Sequence, residues 1–307
     1  MLMPCQLSPA ARTLATAVFL LAAAPPLGAQ GLAGLRGQLE QRIAASGAEV
    51  GLYFRDLTGP DSLDIGADLR FHAASTMKVP VMIEVFREVD AHRLRLNDRL
   101  PVINTFRSIA DDSPYALDKA DDSDSSLYGR VGQTLPVRDL VDLMITVSSN
   151  LATNILIDRV GADSVRAALH DIGADSVTVL RGVEDGAAFR AGMNNTTTAR
   201  GMGVVMAAIA DGRAASAQSC GEMVRVLRRQ RFNKGIPAGL PRGASAAHKT
   251  GWLTGTHHDA AIVYWRDRPR YVLVVLTRGI QDEAQSASLI AELTAMVHAH
   301  AVPESLR

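Results

Sequence analysis

Short apolar runs near both ends of the chain predict β-strands. They are rich in Val, Ile, Leu and Tyr, and turn residues such as Gly, Pro and Asp bound several of them. The predicted strands cover 49–56, a short run that ends near 72, 246–251, 259–265 and 271–277. Apolar residues at helical spacing predict a first helix over 31–46 and a last helix over about 283–300.

The middle of the chain is helical by the same criterion. Apolar residues at helical spacing predict helices over about 75–92, 137–146, 151–160, 163–172, 199–211 and 217–231. We therefore expect a single α/β (α+β) domain over 31–307, with one antiparallel sheet built from both chain ends and flanked by the N- and C-terminal helices. The sheet lobe covers about 31–72 and 244–307, and an all-α lobe covers about 73–243. The acidic, Ser-rich stretch 111–132 is predicted to be a solvated surface loop.

The first 30 residues have the pattern of a secretory signal peptide. A basic start with Arg12 precedes a short apolar run at 13–24 and small residues at 27–30. The apolar run is too short for a comfortable transmembrane helix, so we expect cleavage near Ala29 or Gln30, a periplasmic or secreted protein and no stable membrane anchor. Cys5 would leave with the signal peptide, and Cys220 alone allows no intramolecular disulfide.

Charge and residue pattern exclude several classes of partner. The formal net charge is zero, which argues against a nucleic-acid surface. Adjacent His257 and His258 would point to opposite faces of a strand, so we expect no metal site, and nothing indicates a cofactor. Since no heptad pattern or unassigned apolar stripe remains, we expect a monomer.

Ser75 and Lys78 are the first candidates for chemistry. They lie three residues apart, on one face of the first turn of a predicted helix. The serine would sit among free backbone N–H groups at the positive end of the helix, and a desolvated lysine can lose its proton and act as a base. Alone, this S-x-x-K pattern is weak, and a helix cap followed by a solvated lysine explains it better than a nucleophile and its base.

Two further motifs follow in order and change that interpretation. Ser148-Ser149-Asn150 interrupts a predicted helix, and Lys249-Thr250-Gly251 ends a predicted strand. The order S-x-x-K, S-x-N, K-T-G resembles the set found in class A β-lactamases and penicillin-binding proteins. From about Gly31 to the C-terminus, the chain resembles this penicillin-recognising serine hydrolase family, in a branch related to class A. The loop that contains Glu184 and ends in residues 194–198 is similar to the Ω-loop of class A enzymes.

The resemblance implies a role for each motif residue. Ser75 would attack an amide carbonyl, with Lys78 or Glu184 as the base, and Ser148 would pass a proton to the leaving nitrogen. Glu184 would activate the water that hydrolyses the acyl-enzyme. The implied substrate-binding residues are Asn150, Lys249, Thr250, Gly251 and Trp252, with the backbone N–H groups of Ser75 and Trp252 binding the oxyanion.

Four positions depart from the family pattern. The middle residue of S-D-N is Ser149, so a carboxylate that usually supports the turn is absent. Ala188 stands where an asparagine helps to hold the deacylating water, and Asn195 replaces an aspartate that closes the loop. His257 lies near the position of a carboxylate-binding arginine. Asp185 is the alternative to Glu184 as the loop carboxylate.

Three functions remain open from the sequence. The first is a serine β-lactamase that acts on a small β-lactam. The second is a D,D-peptidase of the penicillin-binding type, with a peptidoglycan-like substrate, or a related esterase that deacylates β-lactams slowly. The third is a sensor or binding domain that stays acylated.

Overall fold

Both ends of the chain contribute strands to one antiparallel sheet. The computed structural model describes residues 31–303, so the predicted signal peptide lies outside the described residues. The strands are β1 (Glu49–Asp56), β2 (Ser62–Ile65), β3 (Phe71–His72), β4 (Arg99–Pro101), β5 (Phe106–Arg107), β6 (Pro114–Tyr115), β7 (Thr134–Pro136), β8 (Thr196–Thr197), β9 (Ala244–Leu253), β10 (Thr256–Trp265) and β11 (Arg268–Arg278). The main sheet has the order β2-β1-β11-β10-β9, which leaves β9 at an edge. The predicted fold class is therefore confirmed.

The helices pack on both faces of this sheet and fill the middle of the chain. They are α1 (Leu32–Ser46), α2 (Lys78–Asp90), α3 (Val137–Thr146), α4 (Asn150–Val160), α5 (Ala162–Asp171), α6 (Gly186–Arg190), α7 (Ala199–Ala210), α8 (Ala217–Leu227) and α9 (Glu283–Ala301). The predicted helix at Ser75 begins differently, because a 3₁₀ helix over Ala74–Met77 precedes α2. Among residues 31–303, no helix combines the length and apolarity that a membrane crossing requires.

Two apolar cores lie on opposite faces of the sheet. One contains Leu39 of α1 and Leu293 of α9, packed against inward side chains such as Leu52. The other contains the central helices, including Met82 of α2 and Met202 of α7. Because both faces are covered, 271–276 of β11 are fully buried as one continuous apolar run, which explains their sequence pattern.

The prediction of a solvated loop over 111–132 is wrong in part. This stretch contains β6, a 3₁₀ helix over Leu127–Arg130 and a carboxylate, Asp122, that is only 9% exposed. Asp122 binds the backbone at the start of α4, so the loop is part of the helical packing. Most of the other residues of the stretch are exposed, as predicted.

Candidate active site

Ser75 lies on a 3₁₀ turn whose backbone is held from two sides. The N–H of Ala74 donates to His72 Nδ1 at 3.0 Å, and the N–H of Ala73 donates to the carbonyl oxygen of Asn195 at 2.9 Å. Burial lowers the pKa of His72, which keeps Nδ1 unprotonated and able to accept. Ala74 has φ 45°, a left-handed conformation that costs about 1 kcal/mol in a non-glycine residue. The turn thus presents the half-buried Ser75 in a fixed orientation.

The glycine of Lys249-Thr250-Gly251 lies against this turn. A Cβ on Gly251 would be 3.1 Å from Ser75 N and 3.1 Å from Ala74 Cβ, so a side chain there would force the two segments apart. Edge strand β9 therefore passes beside the backbone nitrogen of Ser75. The next residue, Trp252, is 53% exposed, whereas Thr250 is buried.

Lys78 is fully buried, and its amino group has three oxygen neighbours. Nζ is 2.6 Å from the carbonyl oxygen of Ser148, 2.9 Å from Asn150 Oδ1 and 3.1 Å from Ser148 Oγ. Burial lowers the pKa of Lys78 to about 7, although the carboxylates of Asp122 and Glu184 oppose the shift. A neutral amine supplies two N–H groups for the carbonyl and amide oxygens and leaves its lone pair for a hydroxyl.

Ser148 connects the two buried lysines of the site. It stands between α3 and α4 with φ 60°, and its Oγ is 3.0 Å from Lys249 Nζ as well as 3.1 Å from Lys78 Nζ. Lys249 also donates to the carbonyl oxygen of Thr250 at 2.9 Å. Burial, followed by the charge of Lys78, lowers the pKa of Lys249 well below its usual range. Two ammonium groups on one hydroxyl would repel each other, so this geometry favours a neutral amine on at least one lysine.

Asn150 extends the connection to the loop over 180–198. Its Nδ2 donates to Glu184 Oε1 at 2.8 Å, and Glu184 Oε2 accepts the N–H of Asp118 at 3.1 Å. Burial raises the pKa of Glu184, while these two hydrogen bonds oppose the rise because they stabilise the carboxylate. One hydrogen-bonded chain therefore joins five of the predicted site residues, in the order Lys249, Ser148, Lys78, Asn150 and Glu184.

The neighbouring carboxylate, Asp185, is engaged in the structure of the loop. It caps α6 by accepting the N–H of Ala188 at 3.0 Å, and it also accepts Ser108 Oγ–H at 2.7 Å and the N–H of Ile109 at 3.0 Å. Of the two acidic residues, Glu184 is the one that contacts Asn150. Ala188 is fully buried and offers no polar side chain.

An amide, in place of an ion pair, closes the base of this loop. Asn195 Oδ1 accepts the N–H groups of Leu180 and Arg181 at 2.8 and 3.2 Å, and its Nδ2 donates to the carbonyl oxygen of Arg181 at 2.9 Å. The guanidinium of Arg181 donates to two backbone carbonyls and to Asn194 Oδ1. The change from aspartate to Asn195 therefore leaves the loop closed.

Sequence reasoning missed two side chains that hold the site in place. Asn154, one turn after Asn150 on α4, accepts the N–H of Val183 at 2.7 Å and donates to its carbonyl oxygen at 3.0 Å. Its spacing from Asn150 was a usable signal, because residues four apart share a helix face. Asp122 supplies the carboxylate that Ser149 lacks, and nothing local distinguishes it among the acidic residues of its loop.

The adjacent histidines of β10 lie on opposite faces of the sheet. His258 donates from Nε2 to the carbonyl oxygen of His72 at 2.9 Å and accepts the N–H of Thr277 at Nδ1. Burial lowers the pKa of His258 to about 4, so it is neutral and supports the residue that fixes the Ser75 turn. Within 31–303, no group of three or more His, Cys, Asp or Glu side chains is placed to hold a metal ion.

Known proteins share this fold and a minority of its residues over most of the chain. A β-lactamase from Streptomyces fradiae is 26% identical over 92% of this chain and 89% of its own. The crystal structure of a β-lactamase from Sphaerobacter thermophilus has a TM-score of 0.74 at 28% identity, covering 88% of this chain and 97% of that one. A variant of PBP-A, solved as an acyl-enzyme complex with penicillin G, has a TM-score of 0.74 at 29% identity, covering 90% and 98%.

The comparison with protein families covers almost the whole described chain. The model of the beta-lactamase enzyme family matches residues 34–301, which include every motif residue discussed above. Since this match spans far more than half of the sequence, the chain belongs to the beta-lactamase enzyme family.

Proposed function

We propose that this protein is a serine hydrolase that opens the β-lactam ring through an acyl-enzyme on Ser75. One observation carries the proposal: the hydrogen-bonded chain from Lys249 through Lys78 to Glu184 lies next to the turn that bears Ser75. Lys78 follows Ser75 by three residues, and a nucleophile with a neutral amine nearby at physiological pH is the arrangement that acyl transfer requires.

In the proposed acylation, Lys78 is the base. Its pKa of about 7 leaves a large fraction of neutral amine at neutral pH, whose lone pair accepts the proton of Ser75 as Oγ attacks the carbonyl carbon. The C–N bond of the ring then breaks, and the proton passes from Lys78 through Ser148 to the nitrogen. Lys249 holds Ser148 in position and attracts the substrate carboxylate, to which Thr250 adds a hydroxyl.

Two backbone N–H groups are proposed to bind the oxyanion, those of Ser75 and Trp252. The close approach of Gly251 to Ser75 N supports this assignment, because it brings the backbone beyond Gly251 next to the nucleophile. Asn150 would bind the amide of the substrate side chain while its own amide spans Lys78 and Glu184.

Deacylation is assigned to Glu184. Burial raises the pKa of Glu184, which makes its carboxylate a better acceptor of a proton from water, and the two N–H donors stabilise that carboxylate. Asn154 fixes the backbone just before it, through Val183. We infer that Asp185 has no part in the chemistry.

A penicillin-binding protein that deacylates slowly is the second candidate. The buried Ala188 favours it, because no amide from that position can orient the water. The similarity to PBP-A points in the same direction.

Turnover and intact mass, followed together, distinguish these functions. The protein without residues 1–30 is mixed with penicillin G and, separately, with a chromogenic cephalosporin. Sustained turnover that Ser75→Ala abolishes, with an adduct that persists in Glu184→Gln, is the result expected of a β-lactamase. One burst with a lasting adduct on Ser75 of the wild type would establish the second candidate, and no adduct at all would refute both.

A further inference from the structure

The carboxylate of Asp122 is bound at the start of α4, where it contacts the backbone of Asn150, a member of the hydrogen-bonded chain from Lys249 to Glu184. Both of its oxygens are 2.9 Å from the backbone nitrogen of Asn150, and Oδ2 also accepts the N–H of Leu151 at 2.9 Å. Tyr128 donates its hydroxyl to Oδ2 at 3.0 Å, and Oδ1 accepts the N–H of Asp124 at 3.1 Å. A carboxylate among several N–H donors at a helix N-terminus is strongly held.

Asp122 holds Asn150, the residue that joins Lys78 to Glu184 in the hydrogen-bonded chain of site residues. The side chain of Asn150 bridges Lys78 and Glu184, and its backbone is fixed by Asp122, 28 residues earlier in the chain. The neighbouring Ser149 is the ordinary neutral cap of α4, accepting the N–H of Ala152 at 3.3 Å. Negative charge at this turn therefore comes from a distant loop.

We infer that Asp122 is a positioning residue that fixes Asn150 between Lys78 and Glu184 and places a negative charge beside both groups. The consequence for catalysis rests on the proposed function, because it assumes that Lys78 takes the proton of Ser75. The arrangement itself is independent of the substrate.

The charged groups around Asp122 define the sign of its effect. Lys78 of α2 faces it across Asn150, with Lys249 of β9 beyond, and Glu184 faces it from the loop over 180–198. Its own segment contributes the carboxylates of 118, 121 and 124 and the phenol of Tyr128, whose pKa is raised by burial and then by Asp122. The Asp122 charge raises the pKa of both Lys78 and Glu184. Removing it lowers both.

The sequence makes a direct titration practical, because the chain contains only four lysines: Lys78, Lys119, Lys234 and Lys249. With lysine labelled by ¹³C at Cε, NMR spectra of the substrate-free protein show each group separately, and single Lys→Arg variants assign them. In Asp122→Asn, which keeps the size of the side chain, Lys78 should titrate about one pH unit lower than in the wild type.

Asp90→Asn is the matched control. Asp90 ends α2 and accepts the N–H and hydroxyl of Ser216 at the start of α8, at 2.7 and 2.9 Å, so it is also a carboxylate that caps another helix from a distance. Asp90 lies outside the hydrogen-bonded chain from Lys249 to Glu184, and its variant should leave the titration of Lys78 unchanged. Asp122→Ser, a neutral cap residue, replaces Asp122→Asn if that variant fails to fold.

Kinetics provide the second readout. The acidic limb of the acylation rate against pH should move to lower pH in Asp122→Asn by the same amount as the lysine titration. An unchanged titration of Lys78 in a folded Asp122 variant, or an equal shift in Asp90→Asn, would overturn the inference. Failure of the wild type to acylate would refute the proposed function alone, because the titration is measured without substrate.

Discussion

Replacing Gly251 with alanine tests whether the edge of β9 shapes the space around Ser75. The added Cβ would lie 3.1 Å from Ser75 N, 3.1 Å from Ala74 Cβ and 3.2 Å from Thr76 Cγ2. These atoms belong to a turn held by hydrogen bonds on two sides, so β9 has to move outward by a few tenths of an ångström. The N–H of Trp252, the proposed second oxyanion donor, moves with it.

The expected magnitude follows from what that displacement disturbs. Complete loss of one oxyanion donor costs about 10²–10³ in rate, and a displaced donor is weakened without being lost. Acylation in Gly251→Ala should therefore be about 10–100 times slower than in the wild type. The strain on the fold should be about 1 kcal/mol, which lowers Tm by about 2–4 °C.

Stopped-flow acylation by a chromogenic cephalosporin and a thermal melt measure both quantities. Gly221→Ala is the control, because Gly221 lies within α8 and an added Cβ there meets no atom within 4 Å. It should acylate at the wild-type rate and gain about 0.5–1 kcal/mol of stability, as expected for alanine inside a helix. Wild-type acylation by Gly251→Ala would refute the placement of β9 beside the nucleophile.

Three other predictions concern the buried polar groups. In the wild type, acylation should rise about tenfold per pH unit below pH 7 and then level off, as Lys78 loses its proton; a flat stopped-flow profile would exclude this base. Lys78→Met should abolish acylation yet raise the unfolding free energy at pH 7 by a few kcal/mol, measured by urea titration. The sign follows because the pKa of Lys78 is lower in the folded protein than in the unfolded chain. The destabilisation that Lys78 causes is therefore complete below pH 7 and disappears as pH rises toward about 10.4. Asn154→Ala should remove the two hydrogen bonds to the Val183 backbone and lower Tm by about 2–8 °C. Asp158→Ala, at an exposed position on the same helix, is the control. Equal melting temperatures of the two variants would argue against a role for these hydrogen bonds.

Much of the fold and the site was predictable from local patterns. The helix after Ser75 and the strands around 259–277 follow from apolar periodicity, and the three motifs mark residues that the structure brings together through Lys78, Ser148 and Asn150. Asp122 was not predictable, because its partner backbone lies 28 residues away and only packing reveals it. The role of His72 as an acceptor likewise depends on a turn whose geometry the sequence does not encode locally.

The strand order of the sheet also determines when this enzyme becomes competent during folding. Glu49 of β1 pairs with Arg278 of β11, and β9 reaches β1 only through β10 and β11. Pairing β1 with β11 closes a loop of most of the chain, which is entropically costly and makes the pairing slow to form. Ser75 and Lys78 are synthesised early, but Lys249 and Gly251 reach them only once the C-terminal strands have joined the sheet. In the Glu184→Gln variant, whose proposed acyl-enzyme persists, covalent labelling by a penicillin should therefore report a completed fold, and a ribosome-bound chain that ends before 278 should remain unlabelled.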